Sequence, residues 1–332
     1  MDTFTELFAQ KRFQSSEQWM KDNLLYEVIM GSQAYGTNNE NSDFDFVALV
    51  MPKHEHLYPQ SYGFVLGFDQ YPSFEHKTCK DKTTRLQLEN GTDVEGEWQS
   101  LVNFFFLAGM KGSPSLVESL FARRALVKYA HNIGWTLRDN RKLFLSMRSF
   151  HAFKGYAFQQ LSRLKNGVKE WNDKHTCDNQ TRKEYFEKFG YDVKMAYHPL
   201  RLLDQLHQML TENDLDLMRN REECKAMRRG EWGDFNRFEQ YVLNRLEELE
   251  KLSLSSSLAM QPQTGALHQL LSNCIEEWYG SESKMQKQGT EYVSVKMMMD
   301  RLDNMEKVLN KVEERTRPSE PLSDHLKYKT DF

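Results

Sequence analysis

The chain has 332 residues, of which 28% are charged, and its formal net charge of −4 is nearly balanced. This balance predicts no global basic field for nucleic acid, so any such contact has to come from a local patch. A mean hydropathy of −0.73 and the lack of a long apolar run exclude a membrane-spanning segment. The four cysteines are far apart and the N-terminus has no apolar signal core, which favours a cytoplasmic protein with reduced thiols.

The first half of the chain mixes helix and strand signals. Residues 1–25 have helical spacing, and Tyr26–Val50 is predicted to form a strand, a tight turn, a short helix, a loop and a second strand. A loop is predicted over 51–61, a strand over Tyr62–Phe68, and irregular structure over Asp69–Asp81.

A hairpin is predicted next, because Asn90-Gly91 separates two alternating runs, Thr84–Leu88 and Thr92–Trp98. Ser100 is placed to cap a helix over Leu101–Lys111, and a second short helix follows the Gly112-Ser113-Pro114 turn.

From about residue 138 onward, strand signals fade and helical periodicity dominates. A polar loop is predicted over Asn166–Thr181. The predicted helices cover His151–Lys165, Tyr191–Leu210, part of Asp214–Arg229, Phe238–Leu252, His268–Trp278 and Ser294–Glu314.

Two acids stand at the head of the second strand in Tyr26–Val50. Asp43 and Asp45 are two residues apart, so both carboxylates project from one face, about 7 Å apart along the chain. Carboxylates this close repel each other unless a cation lies between them, and all-oxygen ligands favour Mg²⁺. The alternative is a pair of solvated acids on a surface strand.

A Gly31-Ser32 turn follows the first strand of the same stretch and opens the short helix. Gly31 lets the backbone approach a ligand closely, and the helix-start N–H groups with the Ser32 hydroxyl can form a phosphate cradle. Beside a two-carboxylate metal site, such a cradle indicates phosphoryl or nucleotidyl transfer. The alternative is a structural Gly-Ser turn.

The pattern Gly31-Ser32, Gly36 and Ser42-Asp43-Phe44-Asp45 resembles the signature of the DNA polymerase β-like nucleotidyltransferase superfamily. The resemblance implies an α+β fold, with a small mixed β-sheet nucleotidyltransferase domain flanked by helices and followed by an all-α domain. It also implies an enzyme that moves an NMP from an NTP to an acceptor hydroxyl and releases pyrophosphate. Asp43 and Asp45 would hold Mg²⁺ or Mn²⁺, and Gly31 and Ser32 would hold the triphosphate.

The superfamily uses a third carboxylate on a later strand, for which the hairpin offers Asp93 and Glu95. The spacing to the helix at Leu101 favours Glu95 as metal ligand, although most members carry Asp there. Either acid is a candidate base for the acceptor hydroxyl. If neither is aligned with the pair, the alternative is a catalytically inactive protein that binds a nucleotide or RNA.

The resemblance extends over about residues 25–280. Leu101–Phe121 resembles the segment after the third carboxylate in a group of predicted microbial and phage nucleotidyltransferases with a helical C-terminal half. Three further pieces of that half are found at Gly155–Leu161, Gly190–Leu203 and Met227–Trp232. We therefore predict a nucleotidyltransferase domain over 1–137, a helical domain over 138–315 that forms the other wall of the cleft, and a mobile tail over 316–332.

A basic stripe is predicted on the helix over Tyr191–Leu210. Lys194, His198 and Arg201 have i, i+4, i+7 spacing, so they share one face, which would bind the triphosphate or the acceptor. The alternative is a solvated face. Pro199 lies within this helix and predicts a kink or an end between His198 and Arg201. Arg228 is either a further phosphate ligand or a helix C-terminal residue that complements the dipole.

The acceptor stays open at this point: a tRNA or other RNA end, a protein hydroxyl and a small molecule all fit, with any NTP as donor. The amphipathic helix predicted over Ser294–Glu314 would dock on its own domain or on a protein partner.

Overall fold

The computed structural model describes residues 3–40, 42–65, 70–80, 83–177 and 179–281, and the separate positions 295, 298–299, 301–303, 305–307 and 309–310. The chain divides into two compact units, the first comprising 1–57 and 73–280 and the second 58–72 and 281–332. The predicted boundary at 137/138 falls inside the first unit and stays a prediction. The predicted tail lies outside the described residues, and the described positions of the predicted helix Ser294–Glu314 are helical.

A mixed six-stranded sheet forms the centre of the first unit, with the order β3-β5-β2-β1-β6 and β4 paired to β5. The pair β2 and β5 is parallel, and the other pairs are antiparallel. The strands are β1 (Leu24–Ile29), β2 (Phe44–Val50), β3 (His76–Cys79), β4 (Leu86–Gln87), β5 (Asp93–Ser100) and β6 (Val127–Ala130).

The helices flank the sheet in the first half, and after β6 all regular structure among the described residues is helical. They are α1 (Phe4–Lys11), α2 (Trp19–Asp22), α3 (Gly31–Ala34), α4 (His54–Leu57), α5 (Leu101–Phe104, continued by a π-helical turn, Phe105–Met110), α6 (Pro114–Phe121), α7 (Asn132–Asp139), α8 (Met147–Lys174), α9 (Gln180–Phe189), α10 (Val193–Glu212), α11 (Arg221–Arg228), α12 (Phe235–Ser253) and α13 (Thr264–Tyr279). The α+β fold with a helical second half is therefore confirmed. Among the described helices, none is long and apolar enough to cross a membrane.

Strand β2 is buried on both faces, which explains its nearly continuous apolar sequence. Phe46 and its alternating neighbours pack into a cluster with Phe8 and Trp98, on the side of the sheet that α1 covers. Val47 and Leu49 belong to the larger cluster, which continues through the helices of the second half. The larger cluster therefore spans one side of the sheet and the helical half, and the smaller one lies between the other side of the sheet and α1.

Several boundaries differ from the sequence-based expectations. The predicted loop over 51–61 contains α4, and the described part of the predicted strand Tyr62–Phe68, up to residue 65, is not a strand. Strand β3 lies in a stretch predicted to be irregular, and β6 was not predicted. Both are four-residue strands at the two ends of the sheet order, and their pattern is too short to identify from the sequence.

Helix α8 continues nine residues beyond the predicted end at Lys165, into the stretch predicted to be a polar loop. Its polar residues there face solvent, while Gly167 allows Phe186 of α9 to approach, since an added Cβ would lie 3.4 Å from that ring. Packing between helices, rather than local propensity, sets this boundary.

Helix α10 continues through Pro199, so the predicted end between His198 and Arg201 is wrong, whereas the predicted kink stays a prediction. Proline removes one backbone hydrogen bond, but the helix buries most of its length against α8, α11 and α12. The predicted stripe of Lys194, His198 and Arg201 therefore stays on a single helix.

Candidate active site

A cavity of about 610 Å³ lies between the sheet and α10. Eight of the ten residues predicted from the sequence line it, and they come from both halves of the first unit. From the first half come Gly31, Ser32, Asp43 and Asp45, and from the second half Lys194, His198, Arg201 and Arg228. The lining does not include the two candidates for the third carboxylate, Asp93 and Glu95.

Glu95 is nevertheless the direct neighbour of Asp45. The parallel pairing of β2 and β5 places Asp45 opposite Glu95, and residues in register on neighbouring strands point to the same face. Asp93 is instead engaged within its own hairpin, where it forms an ion pair with Arg85 at 2.7 Å and accepts a hydrogen bond from Gln87 at 3.1 Å. The geometry thus favours Glu95 as the third carboxylate.

Two of the three candidate carboxyls, Asp45 and Glu95, have raised pKa values. Burial raises the pKa of Asp45, and Asp43 raises it further, while Lys80 and Lys194 oppose this rise. Burial also raises the pKa of Glu95, and the charges of Asp45 and Asp43 add to that increase. A divalent cation would remove this repulsion, so the donor set suits a hard metal. Across the described ranges, however, no three His, Cys, Asp or Glu side chains are grouped closely enough to hold a metal ion.

Gly31 brings the backbone into contact with the Asp45 carboxylate. Its φ of +61° lies in the left-handed region, and a Cβ at this position would overlap Oδ2 of Asp45. Glycine is therefore required here both by backbone conformation and by space.

We expect Gly31→Ala to lower the free energy of unfolding by about 2 kcal/mol or more, because backbone strain adds to the overlap with Asp45. Gly91→Ala is a matched control, since Gly91 has a φ of +82° but no atom lies within 4 Å of an added Cβ. Urea denaturation of both variants separates the cost of backbone strain, which both share, from the cost of the overlap with Asp45. Equal losses would show that the contact with Asp45 contributes nothing.

The segment after α3 is attached to the helical half. Gly36, with φ of +64°, lies so close to Met218 that a Cβ would overlap its Cε atom. The Thr37 N–H donates to the Ser32 carbonyl at 2.9 Å, and Arg228 donates to the Thr37 carbonyl. Arg228 thus lines the cavity while it holds the loop that follows the Gly31-Ser32 turn.

The predicted basic stripe is not uniform. Lys194 is exposed at the cavity. Arg201 is buried and forms an ion pair with Glu118 of α6, and its guanidinium lies 3.9 Å from the centre of the Tyr35 ring. Burial disfavours the charge on Arg201, but the Glu118 carboxylate outweighs this and raises the pKa of the guanidinium. Arg201 is therefore a link between the two halves, in addition to facing the cavity.

Glu118 is a residue of the site that the sequence-based reasoning missed. It is fully buried, accepts the Arg201 hydrogen bond on Oε1 and accepts one from the Tyr35 hydroxyl on Oε2 at 2.7 Å. The available signal was a single charged residue inside the apolar helix PSLVESLF. A buried charge of this kind is retained when it is paired.

His198 is neutral at physiological pH. Burial, followed by the charges of Arg201, Lys194 and Arg228, lowers the pKa of His198 to about 3. Its Nδ1 atom is buried without a hydrogen-bond partner among the described residues. His198 therefore contributes a neutral imidazole, not a cation, to the stripe.

We expect His198→Gln to flatten the pH dependence of stability in acid. The unfolded chain binds a proton on His198 below about pH 6.5, whereas the folded protein does so near pH 3, so stability falls as the pH drops through this window. Within this window the free energy of unfolding changes by about 1.4 kcal/mol per pH unit because of His198. Urea denaturation at several pH values measures it, and identical slopes in wild type and variant would refute the assignment.

The chain was compared with known proteins. No match was found among curated proteins. Among solved structures, a nucleotidyltransferase-like protein from Exiguobacterium sibiricum matches with 12% identity over 91% of this chain and 92% of that chain. Its TM-score of 0.27 is too low for an argument about the site.

A protein-family model matches residues 7–231, which contain the sheet, all ten predicted site residues and α3 to α11. The family is RlaP, the RNA repair pathway DNA polymerase beta family. The match covers more than half of the chain and includes both walls of the cavity. The chain therefore belongs to the RNA repair pathway DNA polymerase beta family.

Proposed function

We propose that this protein is a metal-dependent nucleotidyltransferase that moves an NMP from an NTP to an acceptor hydroxyl and releases pyrophosphate. The observation that carries the proposal is the cavity itself, in which Asp43 and Asp45 face Lys194 and Arg228 across a space of about 610 Å³. Membership of a polymerase β family supports nucleotidyl transfer as the reaction type. The words RNA repair in the family name favour an RNA end as acceptor.

Asp43, Asp45 and Glu95 would hold Mg²⁺ or Mn²⁺, which when bound neutralises phosphate charge and activates the acceptor hydroxyl. The electrostatics of Asp45 and Glu95 suit this role: burial raises the pKa of both carboxyls, and neighbouring acid charges add to the rise, so a bound cation would be favourable there. Ser32 would donate its hydroxyl to a phosphate oxygen, and Gly31 leaves room for the approach. Glu95, with its raised pKa, is the proposed base for the acceptor proton.

The second wall would bind the triphosphate. Lys194 is the exposed cation of the stripe, and Arg228 lies beside the loop after α3. A neutral His198 would accept or donate one hydrogen bond without adding charge. Arg201 lines the cavity but is already paired with Glu118, so it would contribute through its positive charge.

A second candidate function is nucleotide or RNA binding without catalysis. It is favoured by one observation, that no three acids within the described ranges are grouped as a metal site. The two functions differ in whether Glu95 comes into metal-bridging reach of Asp43 and Asp45 when a nucleotide binds. A structure with Mg²⁺ and a non-hydrolysable NTP distinguishes them.

The proposed function is tested by incubating the protein with each α-labelled NTP, Mg²⁺ or Mn²⁺, and total RNA or a cell extract. We expect label to enter an acceptor in a metal-dependent reaction that EDTA stops, together with release of pyrophosphate. Tight NTP binding without transfer to any acceptor would support the second candidate instead. A protein that binds no NTP would contradict both.

A further inference from the structure

The candidate active-site cavity continues into a long groove between α8, α9 and α10. A second cavity of about 410 Å³ shares Tyr156, Thr181, Tyr185, Lys194 and His198 with the first. A third cavity of about 510 Å³ shares Arg163, Asn179, Arg182, Asp192 and Met195 with the second. We call the second and third cavities together the distal groove.

The distal groove is long enough for a chain ligand. It follows α8 from Tyr156 to Lys174, which at the rise of an α-helix is about 27 Å. This length exceeds what a mononucleotide needs. A ligand that fills both the active-site cavity and the distal groove is therefore extended.

The cations in the distal groove suit a polyanion. Arg163 and Lys174 are exposed, line the groove and have no ion-pair partner within the described part of the chain. Arg182 forms an ion pair with Asp192 at 3.4 Å, and Asp192 also caps α10 through the Met195 N–H. Lys194, Arg163 and Lys174 thus place positive charge at the start, middle and far end of the groove, where they outnumber the one exposed carboxylate of its lining, Glu170, while Asp192 is already used in the fold.

Aromatic side chains alternate with these cations. Tyr156 and Tyr185 line the junction with the active-site cavity, and Trp171 lines the far end. Trp171 is held in place by stacking on Phe186, with ring centres 5.4 Å apart and an interplanar angle of 17°. Cations along a track with fixed aromatic rings are the features that bind the phosphates and bases of single-stranded nucleic acids.

We propose that the distal groove binds the end of a single-stranded nucleic acid and directs its terminal 3′ hydroxyl into the active-site cavity. This inference rests on the proposed function and specifies its acceptor. Arg163 and Lys174 contact phosphates, and the rings of Tyr185 and Trp171 stack on bases. About four nucleotides fit, the lower end of the site sizes of single-strand-binding domains.

In the transfer step, one bond to the α-phosphorus of the NTP forms and another breaks. The oxygen of the 3′ hydroxyl forms a bond to the α-phosphorus of the NTP, and the bond from that phosphorus to the α–β bridging oxygen breaks. Pyrophosphate leaves with the electron pair of the broken bond. The hydroxyl proton passes to Glu95, the base of the proposed function. The new bond extends the strand by one nucleotide.

The test uses charge reversal in the full-length protein. Arg163→Glu with Lys174→Glu is expected to weaken binding of a labelled single-stranded RNA, measured by fluorescence anisotropy, by about tenfold or more. The slope of log affinity against log salt concentration should decrease by about 1.4, from two phosphate contacts at about 0.7 each. Lys169→Glu is the matched control, because Lys169 is exposed on the same helix but does not line the groove, and its effect should be small.

Binding of single-stranded DNA and of a blunt duplex is measured in the same way. Single-stranded RNA and DNA of one sequence report whether the 2′ hydroxyl contributes, and weaker binding of a blunt duplex is expected in either case. Equal binding of the duplex, an equal effect of Lys169→Glu, or a wild type that binds no oligonucleotide would overturn the groove assignment.

Equilibrium dialysis of NTP with Mg²⁺ is run on the same proteins, and NTP binding should be unchanged in the double variant. This separates the two levels of the proposal. If NTP binds but the double variant retains full RNA affinity, the groove is wrong and the proposed function stands. If the wild type binds no NTP, the proposed function fails irrespective of the RNA result.

Discussion

Asp45→Asn is expected to lower the rate of nucleotidyl transfer by about 10³-fold or more, since a metal ligand supplies several kcal/mol of transition-state stabilisation. The substitution keeps the shape of the side chain that contacts Gly31 and removes its charge. Stability should not decrease, because burial and Asp43 already disfavour the ionised form of Asp45. Single-turnover transfer of labelled NTP at saturating Mg²⁺ measures the effect.

Asp43→Asn should have a comparable effect, and Glu40→Gln provides the control. Glu40 is exposed on the same loop, three residues before Asp43, and does not line the cavity. Far-UV circular dichroism and thermal unfolding establish that all three variants are folded. Transfer that persists at the wild-type rate in both Asp variants would mean that these acids are not the metal ligands.

Glu118→Gln is expected to lower the free energy of unfolding by about 3 kcal/mol or more, because it leaves the buried Arg201 guanidinium without its countercharge. The change is nearly isosteric, so the loss reports charge rather than volume. Urea denaturation at neutral pH gives the loss in free energy of unfolding. The m-value of the variant is fitted separately and not set equal to that of the wild type.

A double-variant cycle tests the cause. Glu118→Leu and Arg201→Met should each destabilise strongly, whereas the two together should cost less than the sum, because neither charge is then buried alone. Glu247→Gln is a control for removal of a carboxylate that pairs with a lysine at the surface, since Glu247 and Lys251 are both exposed and such losses are small. Additive losses in the cycle would show that the pair contributes no coupling.

The sequence predicted the parts of the site that depend on local pattern. The turn at Gly31-Ser32, the strand that begins beside Asp43 and the hairpin at Asn90-Gly91 each carry short-range signals, and all three are present in the structure. The helical half was also predictable from its periodicity. These patterns can be identified from neighbouring residues in the sequence, because they do not depend on which distant residues pack against them.

The pairing of distant residues was not predictable in the same way. The spacing to Leu101 favoured Glu95 over Asp93 only through the family resemblance, whereas the parallel register of β2 and β5, which places Glu95 opposite Asp45, is set by packing of the whole sheet. Similarly, Arg201 has the spacing of a surface cation, yet its partner Glu118 lies 83 residues earlier in the chain. Spacing on one helix predicts a shared face but not which of its members are buried.

The link formed by Tyr35, Glu118 and Arg201 has a consequence for dissecting the protein. It joins Tyr35, at the end of α3, and Glu118 of α6 to Arg201 of α10. The larger apolar cluster also contains residues from both halves, so each half buries side chains of the other. A fragment ending at residue 137 would expose Glu118 and the apolar face of α6 to water. The two walls of the cavity are consequently not separable by truncation, and point substitutions are the appropriate tool for testing the proposed function.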